Sequence, residues 1–208
     1  ENSDLEALGR AIDAAAQLHL PVMVHIGKSP SPLKKILAML RDGDIITHSF
    51  TGHKHGILDD QNKVFPEVAE AVNRGVILDV GHGKGSFSFD VMDKALSQGV
   101  FPGSISSDIH VYNIDGPVFD LATTLSKFLH LGLSLDEVIR LGTVAPAEAI
   151  GIHDRVGSLK LGMNGDVSIF NLEEGEFAFE DSYGTKAVGQ QRLTPVHTIR
   201  EGRIYVRS

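Results

Sequence analysis

PVMVHIG (residues 21–27), DIITHSF (44–50), VILDVGHG (76–83) and SISSDIH (104–110) are four short apolar runs that each reach a metal-capable residue: His25, His48, His82 and Asp108. Such nearly continuous apolar runs read as parallel strands buried on both faces. In an α/β barrel the carboxyl ends of those strands open into one shared mouth, so the side chains there converge. Histidine and aspartate gathered at one mouth suit a hydrolytic metal centre. The runs begin near Val22, Ile45, Val76 and Ser104, at separations of 23, 31 and 28 residues. Each separation accommodates one strand and one crossover helix, which predicts right-handed βα units in a parallel sheet.

Helical patterns fill the intervals. Leu5, Leu8 and Ile12 recur at spacings of three and four within Asp4–Leu18. Lys34–Leu40, Pro66–Asn73 and Ser88–Ser97 follow, with Pro66 in a first turn and Gly75 just beyond an end. After Asp108 the chain reads as helices over Val118–His130, Leu135–Leu141 and Thr143–Ile150, with Ser134 and Glu137 spaced as a capping box. From Gly157 the pattern is β: GSLKLGMNGDVSIFNL is rich in glycine turns, and HTIREGRIYVR reads as two strands around Glu201–Gly202. Two parts are expected, a barrel segment over 1–156 and a small β part over 157–208.

Composition narrows the chemistry. The 208 residues are 42% apolar and 22% charged, ordinary values for a globular chain with a substantial core. Lys and Arg number 19 against 27 Asp and Glu, a net charge of −8, and no basic cluster interleaved with aromatics is present, so nucleic acid is not an expected partner. No apolar stretch approaches the roughly 20 residues of a membrane span, so no membrane partner is expected and the location is expected to be cytoplasmic. With no cysteine, the available side-chain ligands are His, Asp and Glu.

The ordered set VMVHIG, IITHSF, LDVGHG and SSDIH, followed by TVAPAEAIGI and GSLKLGMNGDVSIFNL, resembles the carboxyl-terminal half of the amidohydrolase superfamily, in particular its deacetylase-type, dihydroorotase-related metallohydrolases. The resemblance implies a TIM (β/α)8 barrel, with strands five to eight present here, and a small β-sandwich domain. It implies two divalent metal ions, with zinc the expected element. His25 and His48 match the family histidines that ligate one ion, and Asp108 matches the aspartate that ligates the other and takes the proton from the attacking water. The implied function is hydrolysis of amide or ester bonds in small acylated molecules, as by a deacetylase of an N-acyl amino acid or related acid, with metal-bound hydroxide as nucleophile. Dihydroorotase-like opening of a cyclic amide is the alternative within the class. A non-catalytic assembly or regulatory protein is the alternative outside it, and a homo-oligomer is compatible with either.

The family's His-x-His strand and its carboxylated lysine have no counterpart here, and a TIM barrel usually needs about 250 residues. The chain is therefore expected to be a piece of a longer protein. His82 and His110 are expected to contact substrate: His82 from a glycine-rich loop that can approach a ligand closely, His110 from the same face of the strand as Asp108. Asp79, inside an apolar run, reads as structural. His53-Lys54-His55 is placed in a loop after the second strand, and GHGKGS departs from the phosphate-loop pattern.

Overall fold

The computed structural model describes residues 3–206; residues 1–2 and 207–208, at the ends of the two expected parts, lie outside the described residues. Helix α1 (Ser3–Gln17) leads into strand β1 (Met23–His25), followed by α2 (Leu33–Met39), β2 (Ile45–Thr47), α3 (Pro66–Asn73), β3 (Ile77–Leu78) and α4 (Phe89–Ser97). The three strands form a parallel sheet in the order β1-β2-β3, with Met23 opposite Ile45 and Ile45 opposite Ile77. Ile46, Leu78, Val80 and Phe50 are buried with Ile36, Val68 and Met92 from the crossover helices. A parallel sheet is stable only when helices cover it in this way.

The fourth expected strand, Ser104–Ser107, runs beside β3 as an extended segment with one ladder bridge, Asp79 to Ser104. The N–H groups of Val80, His82 and Gly83 donate to the carbonyls of Ser104, Ser106 and Ser107. Fewer bonds return, because the Ile105 N–H turns away to the carbonyl of Leu141. The carboxylate of Asp79 supplies what the ladder lacks. It accepts hydroxyl hydrogen bonds from Thr47 (2.7 Å), Ser104 (2.6 Å) and Ser106 (2.7 Å), so one buried charge joins β2, β3 and the last segment sideways.

Helices α5 (Leu121–His130), α6 (Leu135–Gly142) and α7 (Val144–Ala149) follow. The α5 helix starts three residues later than its apolar pattern suggests, because Phe119 takes a φ of 60° and the Asp120 carboxylate caps the turn by accepting from Thr123 N–H. The Ser134–Glu137 capping box forms in full at the start of α6. Strands β4 (Val167–Glu180), β5 (Lys186–Arg200) and β6 (Arg203–Val206) make one three-stranded antiparallel sheet among the described residues, whereas a sandwich has two facing sheets. The long β4–β5 hairpin lies against α5, where Phe179 and Leu193 join the same core as the parallel sheet. Among the described residues no helix is long and apolar enough to cross a membrane.

Replacing Asp79 by Ala removes the acceptor of three hydroxyl groups at once. Hydrogen bonds to a charged group contribute about 1.5–3 kcal/mol each and are not additive, so a loss of about 3 kcal/mol or more is expected. Denaturant unfolding of wild type and Asp79→Ala measures it; an unchanged midpoint would remove Asp79 as the lateral tie.

Candidate active site

The strand ends place His25 at the last position of β1 and His48 immediately after β2. His48 has a φ of 64°, a left-handed backbone that a non-glycine residue adopts at a cost. That turn buries its ring and brings Nδ1 to 2.6 Å from the carbonyl oxygen of Gly81. A carbonyl only accepts, so His48 Nδ1 carries the proton and its Nε2 holds a lone pair. Nε2 lies 3.2 Å from His25 Nδ1, with the rings edge to face at a centroid separation of 4.2 Å. Two nitrogens held ~2.0–2.1 Å from one tetrahedral ion would stand roughly 3.3–3.4 Å apart, so the spacing and the Nε2 lone pair fit a shared cation, which would displace the proton between the two rings. His25 is exposed at the end of β1, and the partial desolvation of its ring, followed by neighbouring His48, holds it below the ordinary histidine value while Asp108 pulls the other way. His25 is thus biased toward the neutral form that a metal ligand requires.

Asp108 also has a left-handed backbone, at a φ of 46°. The buried Asn113 holds this turn by donating from Nδ2 to the Asp108 carbonyl. The carboxylate abuts Gly83, where a Cβ would stand 2.6 Å from Asp108 Oδ2. At Gly81 a Cβ would collide with Thr47 Oγ1 and come within 2.6 Å of His48 Nδ1. Glycine is therefore required at both positions by the close approach of His48 and Asp108 to the loop. Asp108 affects the charge on His25, yet no group of three or more His, Asp or Glu among the described residues closes into a metal-holding cluster.

The two residues read as substrate contacts lie elsewhere. The left-handed turn at Asp108 ends the extended run, so His110 does not share its face; His110 is exposed, with its N–H bonded to Asn113 Oδ1 and its ring Nδ1 accepting from Tyr112 N–H. The His82 ring is fully buried against Phe87, so the reading of it as a substrate contact gives way to a core role. Its Nδ1 donates to the Gly83 carbonyl, and its Nε2 accepts from Lys127 Nζ at 2.7 Å. Burial, followed by repulsion from Lys127, pushes His82 down to about 3. The fully buried Lys127 donates as well to the carbonyls of Pro117 and Glu180, each at 2.8 Å, and burial pushes it down to about 7. The only sequence signal for this lysine is its place one residue before Phe128 on an apolar helix; the 45 residues separating it from His82 hide the pairing.

The Amidohydrolase family model matches residues 3–205. A protein from Enterococcus faecalis named "Deacetylase" is 41% identical over 188 residues, covering 89% of this chain and 51% of that protein. A crystal structure of an adenine deaminase superposes with a TM-score of 0.86 at 41% identity, covering 90% of this chain and 51% of that one. A crystal structure of a dihydroorotase superposes with a TM-score of 0.84 at 33% identity, covering 93% and 50%. The chain thus spans about half the length of the curated relatives it matches.

The buried Lys127 sets the sign of a pH effect. Folded, it titrates near 7; unfolded, it returns to the ordinary lysine value of 10.5. Between these values the unfolded chain binds more protons, so this group makes stability rise with pH from about 7 to about 10. Denaturant midpoints measured across that range should rise more steeply in wild type than in Lys127→Met; parallel profiles would mean that Lys127 keeps its ordinary titration on folding.

Proposed function

Since the chain belongs to the amidohydrolase family, we propose that it forms the metal-binding part of a hydrolase acting on C–N or ester bonds of small acylated molecules. The observation that carries this reading is the His25–His48 pair: one imidazole proton is committed to the Gly81 carbonyl, leaving a nitrogen lone pair 3.2 Å from the other ring. In this reading β1, β2, β3 and the Ser104–Ser107 segment are strands five to eight of a complete barrel, with the remaining ligands supplied from outside the described residues. His25 and His48 would hold one divalent ion and Asp108 a second, with zinc favoured by the nitrogen and oxygen donors. Held by these residues, a divalent ion would supply Lewis acidity, lowering the pKa of a coordinated water to about 7 and polarising the scissile carbonyl.

The residues of this chain then have separate tasks. Gly81 fixes the His48 tautomer through its carbonyl and, having no Cβ, lets the ring approach. Gly83 gives Asp108 room beside the same loop. Asp108 is the base, taking the proton of the attacking water at a carboxylate oxygen and returning it to the leaving nitrogen or oxygen. The deacetylase name of the curated relative supports an acyl group as the part removed; an amino acid or related acid as the part that carries it is the choice implied by the resemblance. The dihydroorotase structure, at 33% identity, supports ring opening of a cyclic amide as the second reading. Acylated amino acids, cyclic amides and aminopurines, offered to the metal-loaded full-length protein, separate these from the deamination named for the third relative.

Asp108→Asn keeps the size and one acceptor oxygen while removing the basic site. Turnover should fall by about 10²–10⁴, with metal content measured on the same sample. Lost turnover with retained metal supports the proton role, and joint loss supports ligation. Full activity in a fully metallated variant would move the base elsewhere. Full-length protein that holds no metal would reject the hydrolase reading and favour a non-catalytic assembly role.

A further inference from the structure

The tip of the β4–β5 hairpin folds back onto the loops that follow β2 and β3, and three consecutive residues make the attachment. Asp181 is almost completely buried, and its carboxylate accepts from the N–H groups of Tyr183 (2.8 Å) and Thr185 (2.9 Å), closing the turn, and from Phe89 (3.0 Å) in the first turn of α4. Ser182 N–H donates to the Phe87 carbonyl, and Ser182 Oγ lies 3.0 Å from the carbonyl oxygens of both His82 and Gly83. Tyr183 reaches furthest. Its phenol donates to the Gly85 carbonyl (2.9 Å), accepts from Gly52 N–H (2.9 Å) and lies 3.0 Å from Thr51 Oγ1. Its ring lies under Gly52, where a Cβ would stand only 3.1 Å from it, and the His53 ring meets it edge-on.

Each loop held this way carries part of the candidate metal site. Thr51 N–H donates to the carbonyl of His48, so the phenol stands two links from the residue whose left-handed backbone has to be held in place. The other loop carries Gly81, the acceptor for His48 Nδ1, and Gly83, against which Asp108 rests. At the base of the hairpin tip, Lys127 ties the carbonyl of Glu180 to His82 in the same loop. We propose that Tyr183, with Ser182, is a positioning clamp that fixes the loop after β2 relative to the loop after β3 and so sets the distance and tautomer of the metal-binding histidines. This rests on the reading of His25, His48 and Asp108 as metal ligands. Tyr183 acts through Thr51, Gly52 and Gly85 and is not itself a ligand.

The test uses three variants of the full-length, metal-loaded protein. Tyr183→Phe keeps the ring over Gly52 and removes the phenol, and Ser182→Ala removes the second anchor. Leu193→Ala empties a buried site on β5 where the Leu193 N–H meets Ser126 of α5, involves none of the contacts of Tyr183 or Ser182, and serves as the stability control. Loss of outer partners of metal ligands typically costs 10–100-fold in affinity or activity. Tyr183→Phe and Ser182→Ala should therefore release metal to a chelator about 10–100-fold faster, with reduced kcat, nearly unchanged KM and an altered visible spectrum of the cobalt-substituted protein. Leu193→Ala should lower Tm at least as much yet retain metal as wild type does. In metal-free protein, the Gly52 amide should lose protection from hydrogen exchange in Tyr183→Phe alone. Wild-type metal retention in Tyr183→Phe, or metal loss that follows Tm across all three variants, would overturn the clamp while leaving the ligand assignment intact. Wild-type protein that binds no metal would overturn both.

Discussion

One buried carboxylate sets the lateral spacing on which the site depends. The strands of the parallel sheet are only two or three residues long, and the last segment pairs with β3 at a single ladder bridge. Ladder bonds alone leave the carboxyl ends of such strands poorly fixed. Asp79 replaces them with three charge-assisted bonds to Thr47, Ser104 and Ser106, and Ser106 Oγ accepts in turn from Gly81 N–H. Thr47 directly precedes His48, Ser106 stands two residues before Asp108, and Gly81 holds the His48 proton. The tie that closes the sheet therefore also spaces the groups that would bind metal.

Backbone strain is concentrated where that tie ends. His48 and Asp108 both adopt left-handed conformations, which cost of order 1–3 kcal/mol each and persist only when their surroundings hold them. At His48 the holding contacts are the Gly81 carbonyl and the Thr51 turn; at Asp108 they are Asn113 and the flank of Gly83. An extended residue at either position would direct its side chain along the ordinary alternation of the strand. The positive φ instead turns the imidazole and the carboxylate out of that alternation.

How far this was legible in the sequence follows from the range of the interactions. The helix starts at Pro66, Ser88 and Ser134 depend on residues within one turn, and the structure places them where the sequence does. The apolar runs ending at His25, His48 and Asp108 lead into the expected parallel arrangement, although burial on two faces holds for Ile45 and Ile46 of β2 and not for β1, where Met23 and His25 are exposed. The hairpin tip was not legible. Ser182 lies 100 residues from His82 and Tyr183 lies 131 from Gly52, and Asp181-Ser182-Tyr183-Gly184 on its own reads as an ordinary polar turn.

His82 shows why residue type at a strand end is an incomplete guide. It follows an apolar run as His25 and His48 do, yet its ring is turned into the core between Gly81 and Gly83, both left-handed at φ values of 49° and 54°. In this orientation the Nδ1 proton goes to the Gly83 carbonyl and the Nε2 lone pair to the Lys127 ammonium, so no nitrogen is left for an ion. The protein gains a neutral histidine as an acceptor for a buried cation, a pairing much less costly than leaving that cation unpaired. His48 uses the same kind of carbonyl to hold its Nδ1 proton, but its Nε2 faces another imidazole and not an ammonium. The partner of the second nitrogen, more than the histidine or the strand it follows, separates a ring that can hold a metal from one that holds the core together.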